Sequence, residues 1–178
     1  MKVQIINTSW GYVAAAWENE LLAGLTLPHT TGLEALSTLG EYVKTDLLLS
    51  PLPGQPAGPV EQQLAEQVVR YFAGQRVAFE IPLSWARVTP FQQRVLKVVA
   101  TIPYGKALSY GAVAALVGNP KGARAVGGAV GANPWPLVIP CHRVLAHNQG
   151  LGGFGSGLGW KEKLLQLENI DYRTDNRK

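Results

Sequence analysis

The chain has few of the residues on which disulfide-rich, metal-rich or membrane proteins depend. It contains a single cysteine, Cys141, among 178 residues, which excludes an internal disulfide framework and a cysteine-rich zinc site. No run approaches the roughly 18 consecutive apolar residues that a transmembrane helix needs. No sustained apolar segment follows the first residues, so a secretory signal peptide is not expected. We therefore expect a protein of a reducing compartment, the cytoplasm or, in a eukaryote, the nucleus.

The composition supports a folded core and distributes charge unevenly. Hydrophobic residues make up 47% of the chain and charged residues 16%, which suits one compact domain or two small ones. Residues 1–86 carry four basic and eight acidic side chains, whereas residues 87–178 carry twelve basic and four acidic ones. This asymmetry points to a polyanion such as nucleic acid as the partner of the second half, with a solvated basic face as the alternative.

The first half has the pattern of a small mixed α/β domain. Apolar spacing predicts helices over 33–43 and 61–72. A connector over 82–89 is predicted to separate a first domain, 1–81, from a second domain, 90–178. The remaining segments are predicted as strands, at 3–7, 11–17, 21–27 and 77–81, and as a proline- and glycine-rich loop, at 50–59.

Sharper helix signals begin at residue 89. Thr89, Pro90 and Gln92 have the N-cap, N1 and N3 pattern of a capping box, which predicts a helix that ends by residue 103. Ser109 is the predicted N-cap of a second helix, which ends at residue 118. A third helix is predicted from 119–120 to about residue 130. Two short helices joined by a tight turn are typical of a helix-turn-helix.

The third predicted helix has few side chains that read bases. Only Lys121 and Arg124 are long and polar, and the remaining residues are mostly glycine and alanine. A recognition helix that reads base edges needs several Arg, Asn or Gln side chains. Small residues instead allow the backbone to approach DNA closely with little sequence selectivity, or allow tight packing within the protein.

Cys141 and His142 are adjacent and follow an apolar run, 137–139, that is predicted as a strand. A histidine can generate the thiolate by direct proton transfer or through water. Neighbouring side chains on a regular strand point to opposite faces, so this pair needs a water relay or an irregular backbone. The alternative is an inert buried cysteine beside a core histidine.

A final helix, predicted over 160–168, places Lys161 and Glu168 on similar faces. A carboxylate behind a histidine is the usual third member of a nucleophilic relay, although Glu168 can also be read as a solvated helix end. The glycine-rich run 150–155 matches the G-x-G-x-x-G spacing of dinucleotide sites. It does not directly follow a strand, so it is interpreted as a loop whose backbone amides can approach a ligand.

These residues together resemble the O6-alkylguanine-DNA alkyltransferases, over about residues 86–170. The resemblance implies an α+β, mixed fold with a small ribonuclease-H-like N-terminal domain. It also implies a mainly helical, winged-helix-like C-terminal domain that holds the helix-turn-helix. The motifs that carry the resemblance are Thr89-Pro90-Phe91-Gln92, Ile102-Pro103-Tyr104-Gly105, Ser109-Tyr110-Gly111, Arg124-Ala125-Val126-Gly127, Asn133-Pro134, Ile139-Pro140-Cys141-His142-Arg143-Val144 and Lys161 with Leu164, Leu165 and Glu168.

The resemblance implies a role for each catalytic position. Cys141 would take the alkyl group from guanine O6 by in-line displacement. His142 would act as its base through water, with Glu168 orienting the imidazole. Tyr110 and Lys161 would donate to the leaving guanine, which gains a proton as the carbon–oxygen bond breaks.

The resemblance also assigns residues to DNA and to the substrate pocket. Arg124 would fill the gap left by the flipped nucleotide, and Asn133 would be the hinge before the active-site segment. Phe154 stands where many members have tyrosine, and Trp135 is expected to narrow the range of alkyl groups accepted. Further DNA-binding residues would be Lys121, Ser109, Tyr110, Gly127 and Ala123, and further pocket residues would be Pro136, Arg143, Gly155 and Ser156.

The implied activity is irreversible, single-turnover repair of O6-alkylguanine, and possibly of O4-alkylthymine, in double-stranded DNA of any sequence. No cofactor, metal or membrane is expected, and the protein is expected to be a monomer. One alternative is a non-catalytic damage sensor or DNA-binding regulator of the same fold. Another is a cysteine hydrolase that uses Cys141, His142 and Glu168, which is weak because neither His29 nor His147 lies in a suitable context.

Overall fold

The computed structural model describes residues 1–44 and 57–174. By its contacts the chain divides into two compact units. The first unit comprises Met1–Arg87 with Pro134–Val138, and the second comprises Val88–Asn133 with Ile139–Lys178. The segment 134–138 therefore belongs to the first unit, although the residues on both sides of it belong to the second. The predicted domain limits themselves stay predictions.

A three-stranded antiparallel sheet forms the centre of the first unit. Its strands β1 (Lys2–Thr8), β2 (Gly11–Glu18) and β3 (Leu21–Leu25) follow one another in sequence order. The β1–β2 turn closes where the Thr8 hydroxyl donates to the Gly11 carbonyl at 2.7 Å. The three strands predicted near the N-terminus are confirmed, because alternating and β-branched apolar residues favour strands and short polar turns separate them.

Two helices complete the described part of the first unit, and both were predicted. Helix α1 (Gly32–Val43) begins at a capping box between Thr31 and Glu34, and its apolar face packs on alanines of the sheet. Helix α2 (Pro59–Phe72) begins with proline in its first turn, which suits the missing N–H of that residue. The predicted loop at 50–59 lies outside the described residues up to position 56.

The strand predicted at 77–81 is wrong. Gln67 and Gln63 of α2 donate from their side-chain amides to the carbonyls of Ala78 and Glu80, at 3.3 and 3.4 Å. The segment therefore lies along a helix and forms no ladder. Val77 and Ile81 are buried there, so their apolar character reflects packing on a helix rather than strand pairing.

Four α-helices and one short parallel ladder describe the second unit within residues 88–133 and 139–174. The capping box at Thr89 and the N-cap at Ser109 are confirmed, since both side chains accept from backbone N–H groups three residues later. No helix in the described ranges combines the length and apolarity of a membrane span. The elements are α3 (Pro90–Ala100), α4 (Tyr110–Leu116), α5 (Ala123–Gly131), α6 (Leu158–Leu167), β4 (Leu108–Ser109) and β5 (Val144–Leu145).

Two predictions in the second unit are corrected. The third helix begins at Ala123 rather than at 119–120, because the N–H of Gly122 donates to Asn119 at 2.8 Å and closes a turn before the helix. The run 137–139 is a turn and not a strand. Leu137 has φ +73°, a left-handed conformation that a strand cannot contain.

Candidate active site

Cys141 lies on a single 3₁₀ turn, Cys141–Arg143, and is only 5% exposed. The side chain of Asn133 donates to the Ile139 carbonyl at 2.9 Å and so holds the residues just before the turn. Burial raises the pKa of the Cys141 thiol, while a hydrogen bond from Asn133 and the charge of Lys161 oppose the rise. The irregular backbone that the sequence required as one alternative is therefore present, and it turns the cysteine and His142 into the interior together.

A buried cluster of charge lies next to the cysteine. Nε2 of His142 is 2.7 Å from Oε1 of Glu168. Arg143 grips the same carboxylate with two nitrogens, Nε at 2.8 Å and NH2 at 3.0 Å. Its third nitrogen donates to the Ile102 carbonyl at 2.6 Å, and the N–H of Gly105 donates to Oε2 of Glu168 at 3.2 Å. The carboxylate is thus fixed from several sides.

The electrostatics of this cluster define the tautomer of His142. Burial raises the pKa of Glu168, but hydrogen bonds from His142 and Arg143 outweigh it and bring the pKa to about 2. Burial also lowers the pKa of His142, although its contact with Glu168 works in the opposite direction. The imidazole is therefore neutral near pH 7. An ionised carboxylate can only accept, so Nε2 carries the proton and Nδ1 carries the lone pair of a base.

Lys161 is fully buried on helix α6. Its ammonium donates to the Val144 carbonyl at 2.6 Å, to the Leu151 carbonyl and to the Gly153 carbonyl at 3.3 Å, and it lies 3.4 Å from the Tyr110 hydroxyl. Burial lowers the pKa of Lys161 to about 8. Burial and the nearby Cys141 raise the pKa of Tyr110 to about 12. The tyrosine consequently remains a proton donor at neutral pH.

A cleft of about 910 Å³ lies between the helix-turn-helix and the glycine-rich loop. It collects six of the residues that the sequence assigned to DNA or substrate. Lys121 is exposed in the turn before α5, and Cys141 lies in the interior rather than on the cleft wall. The predicted residues that line the cleft are Ser109, Tyr110, Ala123, Arg124, Gly127 and Phe154.

Other predicted pocket residues lie elsewhere. Trp135 and Pro136 belong to the first unit, where the Trp135 indole donates to the Leu22 carbonyl at 2.8 Å and its ring packs on Trp85. Arg143 lies in the buried cluster around Glu168. The pocket roles of Trp135, Pro136, Gly155 and Ser156 stay predictions.

Sequence reasoning missed the contribution of the turn after α3. Tyr104 donates from its hydroxyl to the Leu167 carbonyl at 3.1 Å, and its ring lies 5.7 Å from the Arg143 guanidinium. The motif around Tyr104 was visible but was interpreted only as a helix end. In residues 1–44 and 57–174, no group of three or more His, Cys, Asp or Glu side chains is placed to hold a metal ion.

Comparisons with known proteins agree with this geometry. Residues 90–170 match the 6-O-methylguanine DNA methyltransferase DNA binding domain. A methylated-DNA–protein-cysteine methyltransferase of Mycobacterium bovis is 46% identical over 126 residues, which cover 71% of this chain and 73% of the relative. The constitutive enzyme of that name from Bacillus subtilis is 47% identical over 109 residues, 61% of this chain and 66% of the relative.

Solved structures extend the similarity to nearly the whole chain. The O6-methylguanine methyltransferase of Mycobacterium tuberculosis matches with a TM-score of 0.72 and 34% identity, covering 94% of this chain and 92% of that one. A Mycobacterium tuberculosis structure titled as OGT in complex with DNA matches with a TM-score of 0.73, 32% identity and the same coverage. With this similarity and a cysteine, histidine and glutamate arranged for thiol chemistry, the chain belongs to the methylated-DNA–protein-cysteine methyltransferase family.

Proposed function

We propose that the protein repairs DNA by direct damage reversal, in which an alkyl group, typically methyl, passes from O6 of guanine to Sγ of Cys141. The observation that carries the proposal is the buried 3₁₀ turn that places Cys141 beside the His142–Glu168 pair, at 2.7 Å. The S–C bond forms as the C–O6 bond breaks, and the electron pair of that bond passes to O6. The guanine then takes up a proton, so neutral guanine leaves and a thioether remains.

His142 and Glu168 supply the thiolate. The neutral imidazole accepts the thiol proton, directly or through water, and the imidazolium so formed is stabilised by the fixed carboxylate. The buried ammonium of Lys161 adds a positive charge that favours the thiolate, as its effect on the pKa of Cys141 indicates. The same pair of groups would serve the leaving base, because Tyr110 stays protonated and Lys161 lies 3.4 Å from its hydroxyl.

Helix α5 and the cleft account for DNA binding. A base within a duplex cannot reach a buried thiol, so the damaged nucleotide must rotate out at a cost of roughly a few kcal/mol. Arg124 is exposed and lines the cleft, where its side chain would occupy the gap that the nucleotide leaves. Lys121 would contact phosphate. Because α5 offers few groups that read bases, binding would be largely independent of sequence.

The thioether on Cys141 is a poor leaving group, so each molecule would act once, without a cofactor and as a monomer. We place the activity in the compartment that holds chromosomal DNA, which is the cytoplasm in a bacterium. The sensor alternative requires no activation of Cys141, whereas the buried relay and Lys161 both favour its thiolate.

The proposal is tested by intact-protein mass spectrometry after mixing with a duplex that contains O6-methylguanine. We expect a gain of one methylene per protein, which peptide mapping places on Cys141, and loss of the lesion from the DNA. Cys141→Ala is the matched control and is expected to bind the duplex without any gain in mass. Binding of the wild-type protein with no gain in mass and an intact lesion would overturn the proposal in favour of the sensor.

A further inference from the structure

The glycine-rich loop 150–157 and helix α5 meet backbone to backbone. A Cβ atom built on Gly155 would lie 2.7 Å from the carbonyl oxygen of Gly131, the last residue of α5. Side-chain carbons do not approach a backbone oxygen so closely. Gly155 is not among the residues with positive φ, so close contact, not backbone conformation, is the reason that glycine suits this position.

The rest of the loop is anchored against retreat. Lys161 holds the carbonyls of Leu151 and Gly153 from the interior. Gly152, with φ +66°, packs on the Tyr110 ring, where an added Cβ would come within 2.9 Å. A side chain at position 155 therefore cannot be accommodated by a shift of the loop towards Tyr110. It has to separate the loop from the end of α5.

The same two segments form walls of the cleft. Val130 and Gly131 line it from α5, and Gly152, Gly153 and Phe154 line it from the loop. Phe154 is half-buried, and its ring lies 6.0 Å from the Lys161 ammonium. Gly155 directly follows Phe154, so its contact with Gly131 determines how closely the aromatic ring approaches α5.

We infer that the contact between Gly155 and Gly131 limits the size of the O6 substituent that the protein accepts. The contact holds Phe154 towards α5, which leaves room for a methyl group and disfavours a bulky one such as benzyl. The inference rests on the proposed alkyl transfer and adds a specificity-determining residue to it. Pocket walls that differ by about one carbon discriminate between substrates by roughly tenfold or more.

The test compares Gly155→Ala with Gly153→Ala. The two positions lie in the same loop, but a Cβ at Gly153 meets nothing within 4 Å, so Gly153→Ala controls for loop rigidity. Single-turnover rates are measured with duplexes that carry O6-benzylguanine or O6-methylguanine. For Gly155→Ala we expect the benzyl-to-methyl rate ratio to rise about tenfold over the wild-type ratio, and for Gly153→Ala we expect the wild-type ratio.

A second variant covers the case in which Gly155→Ala does not fold. Phe154→Ala removes the ring that the contact positions, so it is expected to raise the same ratio. An unchanged ratio in Phe154→Ala, or equal ratios in Gly155→Ala and Gly153→Ala, would overturn the inference. If the wild-type protein transfers no methyl group to Cys141, the proposed function fails instead, so the two failures are distinguishable.

Discussion

Two buried glutamates, one in each unit, do different work with similar partners. Glu61 accepts from Lys2 at 2.7 Å and from the N–H of Gly58 at 2.7 Å, and so caps the start of α2. Glu168 also accepts from a cation and a backbone N–H, but its cation Arg143 is buried and it holds His142 as well. The side chain of Lys2 is 33% exposed, against 7% for Arg143. The exposure of the partner, rather than of the carboxylate, separates a helix cap from an element of a catalytic relay.

The largest expected difference follows from removing each carboxylate charge. Glu168→Gln leaves Arg143 buried without its counter-ion, so we expect a loss of about 3–5 kcal/mol in the free energy of unfolding. We also expect the rate of methyl transfer to fall at least about a hundredfold, since His142 loses the carboxylate that fixes its tautomer.

Glu61→Gln is the matched control for that change. It keeps an oxygen that can cap α2, and Lys2 remains hydrated, so we expect a loss of about 1 kcal/mol and a wild-type transfer rate. Urea unfolding and single-turnover kinetics give both readouts. Equal losses of stability in the two variants would show that burial of the partner cation is not the deciding factor.

The pH dependence of stability is the next largest effect. The pKa of Glu168 is about 2 in the folded protein, below its model value of 4.5. A lowered carboxyl pKa stabilises the fold above the unfolded pKa, and this contribution is lost as the pH falls towards the folded pKa. We expect the wild-type protein to lose about 3 kcal/mol from this group between pH 4.5 and pH 2.

Unfolding in urea at several pH values across this range measures the loss. In Glu168→Gln the part of the pH dependence that comes from this group should be absent. A variant whose stability still falls with the wild-type slope between pH 4.5 and pH 2 would assign that slope to other groups.

The smallest expected effects come from the two cations. Arg143→Lys keeps the charge but loses the two-nitrogen grip on Glu168 and the bond to the Ile102 carbonyl, which is expected to cost about 2 kcal/mol and to slow methyl transfer several-fold. Lys2→Met removes a half-exposed partner and is expected to cost about 0.5 kcal/mol without a change in rate. Thermal unfolding and transfer kinetics compare the pair. A costless Arg143→Lys would mean that the charge alone, and not the guanidinium geometry, holds Glu168.

Local sequence signals predicted the elements that local interactions decide. The N-caps at Thr89 and Ser109 each bond to an N–H three residues away, so their effect is contained within one turn. The strands of the N-terminal sheet are likewise short apolar runs separated by turns. Apolar runs without such signals were misread at 77–81 and 137–139, because burial against a helix or within a turn selects the same residues as burial in a sheet.

The catalytic set was predicted more completely than its surroundings. Cys141, His142 and Glu168 were named from the sequence, and the last two are in contact. Arg143 was assigned to the substrate pocket, because nothing adjacent to it in sequence reveals that its partners are Glu168 and Ile102, 25 and 41 residues away. Trp135 was likewise placed by its neighbours in sequence, whereas its contacts are with Leu22 and Trp85 of the first unit.

The sequence by itself determined which reactive groups exist and where helices begin: one thiol followed by a histidine, a late glutamate and lysine, and capped helices around a tight turn. Only the tertiary structure decided which charges meet and which of them lose contact with water. The physical reason is that the energy of a charge depends on its distance from other charges and on its burial. For Cys141, Glu168 and Lys161, both quantities depend on segments that are distant in sequence.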